Sequence, residues 1–322
     1  MKSIGDNLKL YRIRSKMSLT EAGKVAGLSA PGLMKYEKNL INPSLEKLSL
    51  LAKAYGVSLD DLLNVREGAT ISFKNFYVDN KVSEARCAKI KALIKQKIDN
   101  YFDLLDKSGI KLVNKFGVHI INNTLDAASL ATKLRIFFQL PIDTPISNLI
   151  HLLENHDIII ITLENNEITS GFIGFYENIN NVPVIVVPKM SNGYDQRFNV
   201  AKFLGELLII TEGDKDKFTD AFALSLLIPK GGLIKEFDDT RTRISLNEIV
   251  VFSKIYRVSY KNIIRCLEGY RVITRSCAKY LNIDINKEEL KEQIFMEEAL
   301  NYEKMLYKLY SKEIISDINP YL

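Results

Sequence analysis

Hydrophobic residues recur at helical spacing in short blocks at the start of the chain. The first block places Ile4, Leu8 and Tyr11 on one face of a helix, and a later block does the same with Leu48 and Leu51. Each block follows a serine that can cap a helix N-terminus; these serines are Ser3, Ser18, Ser29, Ser44 and Ser58. The pattern predicts five short helices within residues 1–65.

The middle of the chain contains one stretch without a pattern and two long stretches with a helical pattern. Residues 64–81 show no sustained period and are predicted to form a linker, whereas residues 85–105 and 124–138 carry apolar positions at helical spacing. We therefore expect a helical connector between the N-terminal helices and whatever follows residue 140.

Beyond residue 140 the pattern changes to that of a mixed α and β region. Three runs rich in β-branched residues, 157–163, 170–176 and 182–187, are bounded by Asn and Gly and predict strands. Apolar residues at helical spacing then predict helices at 198–210 and 215–228. An α+β fold with a small sheet is the expected consequence.

Two further helical patterns complete the chain. Residues 247–256 and 260–268 form a helix-turn-helix-like pair, for which we expect a structural role. Residues 287–312 alternate charged and apolar positions, which predicts an amphipathic helix that serves as core or as an oligomer contact.

Composition adds limits on the class of protein. The chain has 322 residues, of which 47% are hydrophobic and 26% charged, the balance of an ordinary globular protein. No apolar run reaches the roughly 20 residues that cross a bilayer, and the N-terminus lacks a signal-peptide pattern. The three cysteines have no metal-binding spacing. We expect a cytoplasmic protein without membrane contact, disulfides or a thiolate zinc site.

The positive charge of the chain is concentrated at its N-terminus. The net charge of the whole chain is +5. Residues 1–65 alone contain ten Lys and Arg against six Asp and Glu, so they contribute +4. Any sequence-independent attraction to phosphate is therefore expected there.

Four consecutive segments of the N-terminal region resemble one known family. Residues 17–21, 27–37, 42–48 and 51–58 follow one another as in the helix-turn-helix domain of the phage-repressor (XRE) family, an all-α fold like that of lambda repressor. The resemblance implies that the third helix enters the DNA major groove and that Arg12 pairs with Glu37. It also implies a homodimer on a two-fold symmetric operator.

The same resemblance identifies the positions that would face bases or phosphates. They are Ser29, Ala30, Pro31, Gly32, Lys35, Lys38 and Asn39. The family often has Gln where this chain has Leu19, and Lys35 is the single long donor on the recognition face. Readout is therefore expected to be sparse, apolar or driven by DNA shape.

A second resemblance covers most of residues 141–275. The segments 197–208 and 222–229 resemble the core of ImmA/IrrE-type zinc peptidases, a zincin-like α+β fold. Residues 145–149, 171–172 and 258–263 also resemble this family. The combination with an N-terminal XRE domain is typical of mobile-element and stress regulators.

The residues that zinc chemistry needs are absent from the corresponding positions. The two histidine positions hold Lys202 and Glu206, the general-base position holds Phe203, and the third-ligand position holds Phe218. The chain has three histidines, all outside these two segments. We expect no metal, no cofactor and no enzymatic activity, with an ion pair between Lys202 and Glu206.

Together these observations predict a multidomain regulator. The expected order is an XRE domain at 1–65, a linker and helical connector at 66–140, a degenerate peptidase-like domain at 141–275 and a helical tail at 276–322. The predicted function is transcriptional regulation, as a repressor that binds double-stranded DNA as a homodimer, with a protein or peptide effector at the degenerate cleft.

Three alternatives remain open. The first is an active metallopeptidase with an unorthodox site. The second is a peptide-pheromone receptor built from helical repeats, against which the predicted strands argue. The third is an antitoxin-like interaction module whose XRE fold no longer reads DNA.

Overall fold

The computed structural model describes residues 3–63, 70–190, 193–238, 240–287, 296–315 and 317–321. The chain divides into two compact units. The first comprises Met1–Ala69, Ile98–Lys111 and Tyr302–Leu322, and the second comprises Thr70–Lys97 and Leu112–Asn301. This division differs from the four consecutive segments expected from the sequence, because residues distant along the chain cluster in the first unit. The expected boundary at 65/66 lies outside the described residues.

The helices and strands follow in this order. The first half contains α1 (Ile4–Arg14), α2 (Leu19–Val25), α3 (Ala30–Glu37), α4 (Leu45–Tyr55), α5 (Leu59–Leu63), β1 (Phe76–Val78), α6 (Glu84–Ser108), β2 (His119–Ile120), α7 (Thr124–Phe137), α8 (Leu149–Glu154) and β3 (Ile159–Leu163). The second half contains β4 (Phe172–Ile179), β5 (Val182–Pro188), α9 (Gly193–Leu208), β6 (Ile209–Ile210), α10 (Lys215–Leu227), α11 (Lys230–Phe237), α12 (Leu246–Tyr256), α13 (Tyr260–Gly269), α14 (Arg275–Lys287) and α15 (Asn301–Ser311).

Five short helices form the N-terminal part of the first unit, as the sequence predicts. Serine side chains accept backbone N–H groups at the starts of α1 to α4, which satisfies donors that a helix leaves unpaired. The inward faces pack into one core of Leu8, Ala22, Ala26, Leu33, Leu48, Leu51, Ala52, Tyr55 and Leu62. A buried Asn7 amide donates to the Leu62 carbonyl oxygen at 3.1 Å and so ties α1 to α5.

The first unit also contains the end of α6 together with α15. The rings of Tyr101 and Tyr302 pack with centroids 5.5 Å apart. Near the C-terminus the Tyr321 hydroxyl donates to Asp103 at 2.6 Å, and Lys107 forms an ion pair with the same carboxylate at 2.7 Å. Residues from three distant parts of the chain thus belong to one compact body.

The second unit is built on a mixed four-stranded sheet with the order β1-β4-β5-β3. Strands β1 and β4 and strands β4 and β5 pair antiparallel, whereas β3 and β5 pair parallel. All seven residues of β5 are buried, which agrees with its central place and its run of Val and Ile. Strands β2 and β6 form a separate parallel pair.

Helices α7, α9 and α10 contribute to the main core of the second unit. The fully buried side chains of Val200 and Leu204 on α9 and of Phe222 and Leu226 on α10 belong to one hydrophobic cluster with residues of β3 and β5. The expected helices at 124–138, 198–210, 215–228, 247–256 and 260–268 are all present, with ends shifted by a few residues. Among the described residues no helix is long and apolar enough to cross a membrane.

Three expectations about secondary structure need correction. The predicted linker at 64–81 contains β1, which gains its partner strand only in the tertiary structure; residues 64–69 lie outside the description. The helix predicted to run to Ile210 ends at Leu208. The next two residues form β6, which pairs with β2. Residues 296–300 are not helical, so the continuous helix predicted over 287–312 is wrong; residues 288–295 are not described.

Candidate functional site

The first candidate site is the surface of α3 in the first unit. Helix α2 leads into a turn at Gly27, whose φ of 63° suits a residue without a side chain. The Ser29 hydroxyl then accepts the Gly32 N–H at 3.2 Å, which caps α3, and Pro31 occupies the first turn, where no N–H is needed. The local sequence therefore determines where α3 begins.

An ion pair joins α1 to the end of α3. The Arg12 guanidinium donates to both carboxylate oxygens of Glu37, at 2.6 and 3.0 Å, and to the Met17 carbonyl oxygen at 3.0 Å. The two side chains are 12% and 5% exposed. The hydrogen bond with Glu37 raises the pKa of Arg12, so the guanidinium group stays charged. This is the pairing that the XRE resemblance implies.

A second contact between α1 and α3 involves Asn39. Its side-chain oxygen accepts the Gly5 N–H at 3.0 Å, and its backbone adopts a φ of 56°. A Cβ on Gly5 would lie 2.3 Å from the Tyr36 carbonyl oxygen, so only glycine allows this approach. Asn39, predicted to face DNA, thus has a structural contact, which the sequence pattern does not indicate.

The structure places the predicted DNA-facing residues around one helix. Ser29, Pro31, Lys35, Lys38 and Asn39 are exposed. Ala30 and Gly32 are half-buried in the first turn of α3. These seven residues all lie in α3 or next to its ends, and the helix also exposes Met34, which was not among the predicted residues.

The second candidate site comprises the four positions on α9 and α10 that the peptidase resemblance identifies. The Lys202 ammonium group lies 2.5 Å from an oxygen of Asp216 and 2.7 Å from one of Asp220. Arg265 on α13 also pairs with Asp220, at 3.1 Å. Burial alone would lower the pKa of Lys202, but hydrogen bonds to the two aspartates outweigh burial and raise it.

Glu206 has partners other than the expected Lys202. Its carboxylate accepts the Tyr176 hydroxyl at 2.9 Å and the Thr219 hydroxyl at 3.0 Å, and it pairs with Lys215 at 3.1 Å. The predicted ion pair between Lys202 and Glu206 is therefore wrong. The physical reason is that α10 packs against α9 and offers each charged side chain closer partners than the next turn of its own helix.

Phe203 packs against the sheet. Its ring is stacked or tilted against Tyr77 on β1 and Tyr176 on β4, with centroids 6.1 and 5.6 Å away. A Cβ on Gly174 would lie 2.1 Å from this ring, so β4 leaves room for it only at a glycine. Tyr77 was not singled out from the sequence, because its strand lies in the predicted linker.

The remaining position, Phe218, is 7% exposed and belongs to the hydrophobic core of the unit. Among the described residues, no three His, Cys, Asp or Glu side chains come together in a way that could hold a metal ion. The four positions therefore carry two salt-bridged charges and two packed aromatic rings.

A buried ion pair lies elsewhere on α9. The Arg197 guanidinium donates to Glu297, and the other Glu297 oxygen accepts the N–H groups of Leu149 and Ile150 at 2.9 and 3.1 Å. Burial lowers the pKa of Arg197, and the Glu297 charge opposes that effect. The sequence motif contains Arg197, but its partner lies a hundred residues away and has no local signal.

Comparison with known proteins concerns mainly the first unit. Residues 8–62 match a family model described as "Helix-turn-helix", and no curated protein matches the chain. Among solved structures, the apo form of the competence regulator ComR from Streptococcus vestibularis shows 15% identity over 96% of this chain and 99% of that chain, with a TM-score of 0.18. That TM-score establishes no common fold. Residues 8–62 thus form a helix-turn-helix domain of the type carried by DNA-binding transcriptional regulators, in a chain that also has an α+β unit with a mixed sheet.

Proposed function

We propose that the protein is a cytoplasmic transcriptional repressor that binds an operator as a homodimer through α3. The match of residues 8–62 to a helix-turn-helix model carries this proposal. In such domains the second helix of the motif lies in the major groove, and dimers bind half-sites about one helical turn apart.

The contacts around α3 support this role. The Arg12–Glu37 ion pair and the Gly5–Asn39 hydrogen bond attach the C-terminal end of α3 to both ends of α1. A recognition helix needs such support, because base contacts depend on positioning within about half an ångström. Lys35 on α3 and Lys38, which directly follows the helix, are exposed and provide positive charge toward phosphate or guanine.

A footprint of the full-length protein on the DNA upstream of its own gene tests this proposal. The reaction contains a fixed salt concentration and excess non-specific competitor, because phosphate contacts alone give salt-dependent binding to any sequence. We expect a protected site with two-fold symmetry, and increased transcription from that promoter when the gene is deleted. Binding that the competitor removes entirely would contradict the proposal.

We further propose that residues 141–275 are a degenerate ImmA/IrrE-type peptidase domain, without catalysis, that receives a protein or peptide signal. The contacts of the four ligand positions support this. Lys202 and Glu206 are engaged by charged or hydroxyl groups, and Phe203 and Phe218 are packed apolar rings. A zinc site requires neutral imidazole or anionic ligands and an open position for water.

Metal analysis and thermal unfolding test this second proposal. We expect purified protein to contain far less than one equivalent of zinc, because the ligand set does not suit the metal. A chelator should leave Tm and DNA binding unchanged, since no metal contributes to folding. Stoichiometric zinc, or peptide hydrolysis abolished by Glu206→Gln, would overturn the proposal.

A further inference from the structure

The exposed face of α3 is unusually poor in hydrogen-bonding side chains. Pro31 is exposed, and Met34, three residues later on the same side of the helix, is 39% exposed. Lys35 is the long polar side chain next to them. A single exposed apolar residue needs no explanation, but two on the face that would enter a groove limit what that face can read.

The polar groups near this face are already engaged. The Ser29 hydroxyl accepts the Gly32 N–H, and the side-chain oxygen of Asn39 accepts the Gly5 N–H. Glu37 is buried in its pair with Arg12. The bidentate readers Arg, Asn and Gln are absent from the exposed positions of α3. Among the exposed residues of α3 itself, Lys35 is the one with a hydrogen-bonding side chain.

The four bases differ in what they offer to an apolar side chain. In the major groove, thymine is the base that presents a methyl group, at C5, in addition to its polar edge. An apolar face between flanking cations therefore gains most from a thymine methyl, because burying that group against carbon releases water from both surfaces.

We propose that α3 recognises thymine methyl groups in the operator through Pro31 and Met34. This proposal rests on the proposed function, since it assigns the base class read by the same helix. The occupant is duplex DNA, for which the neighbouring Lys35 and Lys38 provide complementary charge. Met34 is thereby a specificity-determining residue, and its flexible thioether side chain suits an irregular methyl-lined surface.

The experiment removes single methyl groups from the DNA. A preferred site is first selected from random duplexes with the full-length protein, and each thymine of that site is then replaced by deoxyuridine. Dissociation constants are measured for the wild type, Met34→Ala, Met34→Leu and Leu50→Ala. Leu50 is a matched control, because it is 37% exposed but lies on α4.

We expect the wild type to lose about fourfold in affinity at one or more thymines, the factor that burial of one methyl-sized group is worth. Leu50→Ala and Met34→Leu should keep this loss, whereas Met34→Ala should bind the thymine site more weakly and lose the discrimination at one or more of these thymines. Equal wild-type binding to both bases at every thymine, or an unchanged loss at every thymine in Met34→Ala, would overturn the proposal. Failure to select any sequence would instead refute the proposed function.

Discussion

Replacement of Glu37 by glutamine should loosen the attachment of α3 to α1. Removing one partner of a fully buried ion pair costs about 3–5 kcal/mol, because the remaining charge is left without compensation. Here Arg12 keeps its hydrogen bond to the Met17 carbonyl oxygen, and glutamine can still accept one hydrogen bond. We therefore expect the free energy needed to open α3 locally to fall by about 2–3 kcal/mol.

Hydrogen exchange measured by mass spectrometry on the full-length protein reports this quantity for peptides that cover α3. A loss of about 2–3 kcal/mol corresponds to exchange roughly 30- to 150-fold faster. Glu164→Gln is the control, since Glu164 is 74% exposed and pairs with Lys189 at 3.0 Å; such a surface pair contributes less than about 1 kcal/mol. Equal, small changes in the two variants would refute the reasoning.

Other predictions concern DNA binding, packing and thiol reactivity. Lys35→Ala should weaken specific DNA binding by about 1–3 kcal/mol without loss of helical circular dichroism, and an unchanged footprint would remove Lys35 from the reading face. Gly174→Ala should cost about 1–3 kcal/mol in a urea titration, because the new methyl overlaps the Phe203 ring, whereas Gly117→Ala, with no atom within 4 Å, should be nearly neutral. Burial raises the pKa of Cys266 to about 12, so in native protein at pH 8 iodoacetamide should label the two half-buried cysteines and spare Cys266; rapid labelling there would contradict the burial.

The local pattern of the sequence predicts most of the helices. Capping serines and apolar spacing act within a few residues of chain, so α1 to α4 begin where the caps of Ser3, Ser18, Ser29 and Ser44 place them. The helix-turn-helix domain is implied by the resemblance of four segments within residues 17–58 to the XRE family, and the family match to residues 8–62 confirms it. The roles of the seven residues at α3 in DNA binding stay predictions.

Elements without such a local signal were missed. Strand β1 has three residues and exists because it pairs with β4, about a hundred residues later. Strand β6 likewise depends on β2. Strands of two or three residues are too short to show an alternating pattern. Their hydrogen-bond partners are distant in the chain, so no local signal indicates the pairing.

The candidate sites likewise combine features that are local in the sequence with features that depend on distant residues. The residue types at the four positions that the peptidase resemblance identifies can be read directly, and Lys202, Phe203 and Phe218 offer no zinc ligand. The partners of these side chains cannot be read from the sequence. Lys202 forms ion pairs with Asp216 and Asp220, and Glu206 accepts a hydrogen bond from Tyr176. The sequence by itself determined most of the helices, the strands β3, β4 and β5 and the residue type at each candidate position, because these depend on neighbouring residues. Only the tertiary structure decided the ion-pair partners and the aromatic packing, because those depend on the distances between elements that are remote along the chain.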